Sequence, residues 1–80
     1  MHTPYVPDPK IVARIANDHC YHAPKAELNQ AARYEQIREA GRAFAMLLLG
    51  ITPPSREQSL ALTHIEEAVM MANAAIARNE

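Results

Sequence analysis

The residues best suited to bind a ligand lie in the short segment 21–25. Tyr21, His22 and Lys25 place a phenol ring, an imidazole and an ammonium group within five residues. Pro24 disfavours helical backbone at the residue before it, so we predict a loop here. A tyrosine in a loop can stack on a nucleobase, and a Lys or Arg side chain can hold a phosphate. The segment therefore predicts a site for a small anion that carries an aromatic ring.

A further cation for such a site comes from the next predicted helix. Arg38 and Arg42 stand one helical turn apart on that helix. A structural alternative is that Tyr21 packs as a lid on the core, while the two arginines pair with Glu35 and Glu39. The residue pattern by itself favours this structural alternative over a ligand site.

A polar stripe is predicted at the start of the last helix. Arg56, Ser59 and Thr63 follow one another at i, i+3 and i+7. Unpaired backbone N–H groups and the helix dipole attract anions at a helix start, where an arginine is unfavourable without an acidic partner. Two interpretations remain open: an anion bound by the stripe, or Arg56 paired with a glutamate of another subunit.

Metal binding and catalysis have weaker support in the sequence. His19, Cys20 and His22 are metal-ligand types, but a zinc site needs three or four ligands at workable spacing. Cys20 and His22 are too close along a loop to give a nucleophile and its base a good geometry. Glu66 and Glu67 are adjacent on a helix and are best explained as solvated charges. We expect no catalytic residue, no metal and no cofactor.

Composition limits the remaining function classes. The chain has 80 residues, enough for one domain, with 49% hydrophobic and only 5% aromatic residues. Its formal net charge of -1 argues against long nucleic acids and anionic membranes as partners. Cys20 has no internal partner for a disulfide, and no apolar run is long enough for a membrane span. We therefore expect a cytoplasmic protein.

Two long apolar seams predict an all-α fold built on an antiparallel helical hairpin over residues 30–50 and 55–78. Both seams repeat at alternating spacings of three and four, which is typical of packed helices. They consist of Tyr34, Ile37, Gly41, Phe44 and Leu48 in one helix, and Leu62, Ile65, Val69, Ala72 and Ile76 in the other. Since a glycine inside a helix costs about 1 kcal/mol relative to alanine, we expect Gly41 to mark a close approach of the two helices.

Local signals place the other segments of this single predicted domain. We expect an extended arm over residues 1–7, a short helix over 8–20 that begins with Asp8 as cap, and a loop over 21–29. Asn29 should cap the second helix, and Ser55 with Gln58 should form a capping box on the third. The short helix is too short to be stable alone, so it should dock on the hairpin or on another subunit.

The end of the second helix predicts self-association. Residues 45–49 are apolar on every side of the helix, and a single hairpin cannot cover all of that surface. A small domain that buries little of its own surface also tends to gain stability by assembling with other copies. We therefore expect a compact homo-oligomer.

Much of the chain resembles small phage proteins that share a helical hairpin with the anti-CBASS and anti-Thoeris sponges. The similarity covers about residues 21–80 and is most specific near the C-terminus. It rests on residues 21–25, 33–35, 37–38, 55–56, 61–62, 66–70 and 72–79. The resemblance implies a non-catalytic homohexamer that acts in the cytoplasm of an infected bacterium and binds cyclic oligonucleotide immune messengers without degrading them.

The resemblance also implies two sets of binding residues. For cyclic dinucleotides these are an aromatic residue ahead of the second long helix, which stacks on the base, and a basic residue within that helix, which meets the phosphate. The matching set is Tyr21, His22, Lys25 and Arg38. For cyclic trinucleotides the start of the last helix is implicated, which points to Arg56, Ser59 and Thr63. The alternative function is a structural or protein-binding hairpin that grips a host or phage protein through an apolar groove.

Overall fold

The computed structural model describes residues 5–80, and within them the fold is all-helical, with no strand. The elements are α1 (Pro9–Asp18), one 3₁₀ turn (Ala26–Leu28), α2 (Gln30–Ile51) and α3 (Arg56–Asn79). The 3₁₀ turn lies inside the segment that we predicted to be only a loop. The predicted arm falls partly outside the described residues, and its described part, residues 5–7, is not helical. None of the described helices is both long enough and apolar enough to cross a lipid bilayer.

Helix α1 begins as its sequence predicts. The side chain of Asp8 accepts a hydrogen bond from the backbone N–H of Lys10 at 2.8 Å, and Pro9 occupies the first helical position. The helix makes few contacts with the hairpin, and its apolar side chains Ile11, Val12 and Ile15 are about half exposed. We expected α1 to dock on the hairpin or on another subunit; within one chain the end of the helix contacts α3, while its apolar side chains stay about half exposed.

Helices α2 and α3 pack against each other as a hairpin. At Gly41 the two helices are so close that only a glycine fits. A Cβ atom added at Gly41 would collide with Cγ2 of Val69 and would also touch Ile65. The prediction that Gly41 marks the close approach of the helices is confirmed. Gly50, by contrast, has open space where a Cβ would lie.

The connection between the two long helices is held by polar contacts. The hydroxyl of Ser55 accepts a hydrogen bond from the N–H of Gln58 at 3.1 Å, which is the cap that we predicted. The side chain of Gln58 does not complete a capping box, because its amide donates instead to the carbonyl and hydroxyl oxygens of Thr52 at 3.0 and 2.9 Å. This contact ties the start of α3 directly to the end of α2.

The start of α2 is organised around a buried glutamine rather than around a side-chain cap. Asn29 occupies the N-cap position, as predicted, but it has a left-handed backbone (φ 56°) and its side chain makes no cap hydrogen bond. Gln30 is almost fully buried. Its side chain accepts from the N–H of Lys25 at 2.9 Å and donates to the carboxylate of Glu80 at 3.1 Å. Gln30 therefore joins the loop before α2 to the end of α3.

The same carboxylate forms the closest ion pair between distant parts of the chain. Both terminal nitrogens of Arg33 donate to Glu80, at 2.8 and 2.7 Å. The hydrogen bond from Arg33, reinforced by the one from Gln30, lowers the pKa of the Glu80 carboxyl below its ordinary value. The same interaction raises the pKa of Arg33. The start of α2 and the end of α3 are thus fastened by charge as well as by packing.

A single chain leaves many of its large apolar side chains exposed. Among the described hydrophobic residues only Ile76 is buried, at 8% exposure, whereas Met46, Leu47 and Leu49 are each more than half exposed. The radius of gyration is 17.7 Å, compared with about 12 Å for a compact domain of this length. The hairpin is therefore elongated and has no core of the size that usually stabilises a lone domain.

Candidate functional site

Most of the residues predicted from the sequence to bind a dinucleotide line one open groove, which we call the loop groove. It lies between the loop after α1, the first half of α2 and the last turns of α3. Its volume of about 390 Å³ falls within the range typical of small-molecule sites. The groove is lined by Tyr21, His22, Pro24, Tyr34, Arg38, Asn73, Ala74, Ala77 and Arg78.

The loop that carries Tyr21 is held by hydrogen bonds to backbone atoms. The ring Nε2 of His22 lies 2.9 Å from the carbonyl oxygen of Asn17, so this nitrogen carries the proton that the carbonyl accepts. The side-chain amide of Asn17 donates in turn to the carbonyl of Arg78 at 3.0 Å. His22 therefore anchors the loop to the end of α1, and Asn17 anchors that end to α3.

Tyr21 itself projects into solvent at the edge of the loop groove. Its side chain is 84% exposed. The alternative that this ring packs as a lid on the core is therefore wrong for the single chain. An aromatic ring this exposed leaves a face free for stacking, which suits contact with a base or burial in an assembly.

Arg38 lines the loop groove, but it is not a free cation. Its guanidinium donates to Glu35 at 2.6 Å, and Arg42 makes the equivalent contact with Glu39 at 3.0 Å. The ion pairs predicted by the structural alternative are thus present. Both pairs are exposed to solvent, where water and salt screen the attraction between the charges and keep it weak. A phosphate could therefore displace Glu35 from Arg38.

Arg78 is a second guanidinium in the loop groove, and the sequence did not identify it as a site residue. It makes two long contacts with Asp18, one of 3.7 Å to the carboxylate and one of 3.5 Å to the carbonyl oxygen. The loop groove is therefore flanked by Arg38 and Arg78, each held by an acidic residue at the surface. The sequence signal for Arg78 was its position as a charged residue directly after the alanine-rich segment 72–77.

Tyr34 and Asn73 also line the loop groove without having been predicted as binding residues. The hydroxyl of Tyr34 and Oδ1 of Asn73 are both buried and lack a hydrogen-bond partner. Tyr34 had been assigned to the hairpin seam, and Asn73 is a polar residue in the middle of the alanine-rich segment 72–77. An asparagine among these alanines was the sequence signal that could have indicated a ligand-binding role for Asn73.

Lys25 does not line the loop groove. Its ammonium group contacts the carbonyl oxygen of Glu80, beside the Arg33 ion pair. Tyr21, His22 and Arg38 are therefore brought together within one chain, while Lys25 lies with the group of residues that fastens α2 to α3. The predicted dinucleotide set is divided between these two places.

The predicted trinucleotide residues are exposed along the first half of α3. Arg56 occupies the first position of the helix, and the hydroxyl of Thr63 donates to the carbonyl of Ser59 at 3.1 Å, one turn earlier. This intrahelical contact leaves the lone pairs of the hydroxyl available for another partner. In the single chain these three residues form a surface stripe.

The segment with metal-ligand residue types forms no metal centre in the described residues. No group of three or more His, Cys, Asp or Glu side chains converges anywhere in residues 5–80. His22 is turned towards the carbonyl of Asn17, and the thiol of Cys20 donates to the carbonyl of Tyr21 at 3.6 Å. Because both side chains bond to backbone carbonyls, the thiol of Cys20 and the imidazole of His22 are not paired as a nucleophile and its general base.

The fold defines a small helical-hairpin protein that carries an open groove. A comparison with protein-family models matches residues 12–77 to the Acb2/Tad1 hairpin domain, which covers α2 and nearly all of α3. The chain therefore belongs to the Acb2/Tad1 hairpin-domain family of anti-CBASS and anti-Thoeris sponges, which confirms the resemblance found in the sequence. Comparisons with curated proteins and with solved structures found no match.

Family membership sets the broad class of function. It implies a phage anti-defence protein that sequesters a cyclic nucleotide signal, and it places the chain in a family of binding domains rather than in a known enzyme family. Our prediction of an anti-defence binding protein is thus confirmed at this level.

Proposed function

We propose that this protein binds cyclic oligonucleotide messengers of bacterial immunity, cyclic di- or trinucleotides or both, and releases them unchanged. By holding the messenger it would prevent activation of CBASS-type effectors in the cytoplasm of the infected host. The observation that carries the proposal is the loop groove. In this member of a sponge family, the groove is lined by the exposed ring of Tyr21 and by the guanidinium groups of Arg38 and Arg78.

The dinucleotide site is proposed at Tyr21, His22 and Arg38. Tyr21 stacks on a base, a contact worth about 1–3 kcal/mol by alanine substitution. Arg38 exchanges Glu35 for a ligand phosphate, and His22 positions the loop through Asn17. Lys25 contributes only if its ammonium group leaves the carbonyl oxygen of Glu80.

The site is proposed to be completed by other copies of the chain. The loop groove is open, and Tyr21 has a free face that a ligand or a second protomer would cover. The half-exposed residues of α1 and the apolar end of α2 supply the surface for such an assembly. We propose a homohexamer, the state implied by the family resemblance. In a symmetric interface, each site residue would be contributed more than once.

A second site, for cyclic trinucleotides, is proposed at Arg56, Ser59 and Thr63. The helix dipole favours an anion at the first turn of α3, and Arg56 lies in that turn beside Glu57. The hydroxyls of Ser59 and Thr63 would act as further hydrogen-bonding groups.

One observation favours the alternative function of a protein-binding hairpin. A second groove, of about 510 Å³, runs along the other side of the hairpin and is almost entirely apolar. It is lined by Ile37, Ala40, Gly41, Phe44, Leu48, Ala61, His64, Ile65, Ala68 and Val69. A helix of a host protein would fit such a surface, as would another copy of this chain.

Calorimetric titration with cyclic di- and trinucleotides tests the proposal. Tyr21→Ala and Arg38→Ala should each weaken dinucleotide binding by about two orders of magnitude if each acts twice in a symmetric site. Arg42→Ala is the matched control, since it removes an equivalent exposed ion pair one turn further along α2 and should leave binding unchanged.

Arg56→Ala distinguishes the two proposed sites. It should weaken binding of trinucleotides and spare dinucleotides. If the wild type bound no cyclic nucleotide, the sponge function would be wrong and the protein-binding hairpin would replace it. Tight binding that Tyr21→Ala leaves intact would preserve the function and remove the proposed site.

A further inference from the structure

Two residues that line the loop groove carry buried side-chain oxygens that lack the hydrogen bonds buried oxygens normally have. These oxygens are the hydroxyl of Tyr34 and Oδ1 of Asn73, the buried side-chain polar atoms without a partner in the described part of the chain. Both residues line the loop groove beside Tyr21. Since unsatisfied buried polar groups are rare in native proteins, a pair in one groove indicates that something else completes it.

The chemistry of these two groups limits what can complete the groove. An asparagine carboxamide presents an acceptor and a donor side by side, and a phenol oxygen can accept as well as donate. An exocyclic amine has two hydrogens and would satisfy both unpartnered oxygens. Adenine carries such an amine at position 6 next to the acceptor N7, and bidentate contact with Asn is the usual way in which proteins read that edge. The corresponding edge of guanine has two acceptors and suits arginine.

We propose that Asn73 and Tyr34 read the edge of the base that stacks on Tyr21, and that this base is an adenine. The proposal rests on the cyclic-nucleotide function proposed above and adds the base specificity of the same site. In the free chain both oxygens are buried. Ligand entry therefore includes rotation of these side chains towards the base.

Arg38 and Arg78 would bind the phosphates of the ligand, whereas Asn73 and Tyr34 would bind its base. Both arginines are held by surface acidic residues that a phosphate can displace, so they meet the charged part of the ligand. They bind any cyclic nucleotide equally, because phosphate contacts carry no base information. Base selectivity is therefore assigned to Asn73 and Tyr34 alone.

The test is a calorimetric comparison of cyclic di-AMP with cyclic di-IMP, in which an oxygen replaces the amine at position 6 of each base. Wild-type protein should prefer cyclic di-AMP by about tenfold or more. Asn73→Ala should bring the two affinities close together, mainly by weakening cyclic di-AMP. Tyr34→Phe removes only the phenol oxygen and should reduce the preference while preserving the ring.

Asn79→Ala serves as the matched control, because Asn79 lies on the same helix, is exposed, and donates its side-chain amide to the carbonyl of Ala75 within that helix. Its preference should equal that of the wild type. Equal binding of the two ligands by wild type would overturn the proposal, as would a preference that survives both Asn73→Ala and Tyr34→Phe. If no cyclic nucleotide bound at all, the proposed function would fail together with it, which is a different result from binding without selectivity.

Discussion

At the scale of single residues, the proposed site would depend on arginine side chains that now form weak ion pairs. Arg38 is held by Glu35 and Arg78 by Asp18, in each case at the surface of the chain. Water and salt screen such pairs, so they cost little to exchange. An anionic ligand that enters the loop groove would thus find two guanidinium groups already in place and would need to displace only surface carboxylates.

The ion pair of Glu80 gives a residue-scale prediction about pH. Because the hydrogen bond from Arg33 lowers the pKa of folded Glu80, the stabilisation is present above the unfolded pKa, about 4.3, and is lost as the pH falls through the lower folded value. Glu80→Gln should therefore melt at a lower temperature than wild type at pH 7, and the difference should shrink below about pH 4.

Thermal melts of the two proteins across this pH range would check the prediction. The matched control is the Arg33→Met background, in which the same change at Glu80 should have a much smaller pH-dependent effect. A difference between wild type and Glu80→Gln that stayed constant from pH 7 to pH 3 would contradict the assigned ion pair.

At the scale of elements, the two glycines of α2 give a matched pair of substitutions. Gly41→Ala forces a Cβ onto Val69, whose branched side chain is stiff in a helix, and overpacking of this kind costs about 1–3 kcal/mol. Gly50→Ala meets no neighbour and should gain up to about 1 kcal/mol of helix propensity. The melting temperature should fall for the first variant and stay level or rise for the second.

Differential scanning calorimetry at one fixed protein concentration would measure both melting temperatures, since assembly makes the melting temperature depend on concentration. A Gly41→Ala variant as stable as Gly50→Ala would show that the helices do not approach each other closely at Gly41.

The elements that the sequence predicts well are those with periodic or capping signals. The seams of α2 and α3 give the hairpin, and Asp8 and Ser55 give helix starts that the structure contains. The buried Gln30 and its contact with Glu80 were not predictable, because they join residues 50 positions apart through a polar side chain. No local pattern indicates such a contact.

The candidate site shows the same division. Tyr21 and Arg38 were predicted as candidates from their residue types and from the family resemblance, and both line the loop groove. Tyr34 and Asn73 were not predicted as candidates. They stand out because their buried oxygens lack hydrogen-bond partners, and only a three-dimensional structure shows this. Lys25 was grouped with Tyr21 by its position in the sequence, and the fold separates the two.

At the scale of the whole molecule, the exposed apolar surface predicts self-association. Light scattering on wild-type protein at micromolar concentration should show a mass several times that of the 8.9 kDa chain. Leu48→Asp would place a charge in the apolar groove at a cost of several kcal/mol, and should give a monomer or an aggregate.

Gln36→Asp is the control for this prediction, because it adds the same charge to the same helix at an exposed polar position. Its mass should match that of the wild type. A wild type that stays monomeric would contradict the assembly and the sharing of sites between protomers.

Recovery of intact ligand tests the central claim most directly. The wild-type protein would be mixed with a cyclic dinucleotide, separated from free ligand by gel filtration and heated, and the released small molecules would be identified by mass spectrometry. We predict that the dinucleotide elutes with the protein and is recovered with its original mass, and that little elutes with Tyr21→Ala. Absence of ligand from the wild-type peak would contradict the account, as would recovery of linear or hydrolysed products.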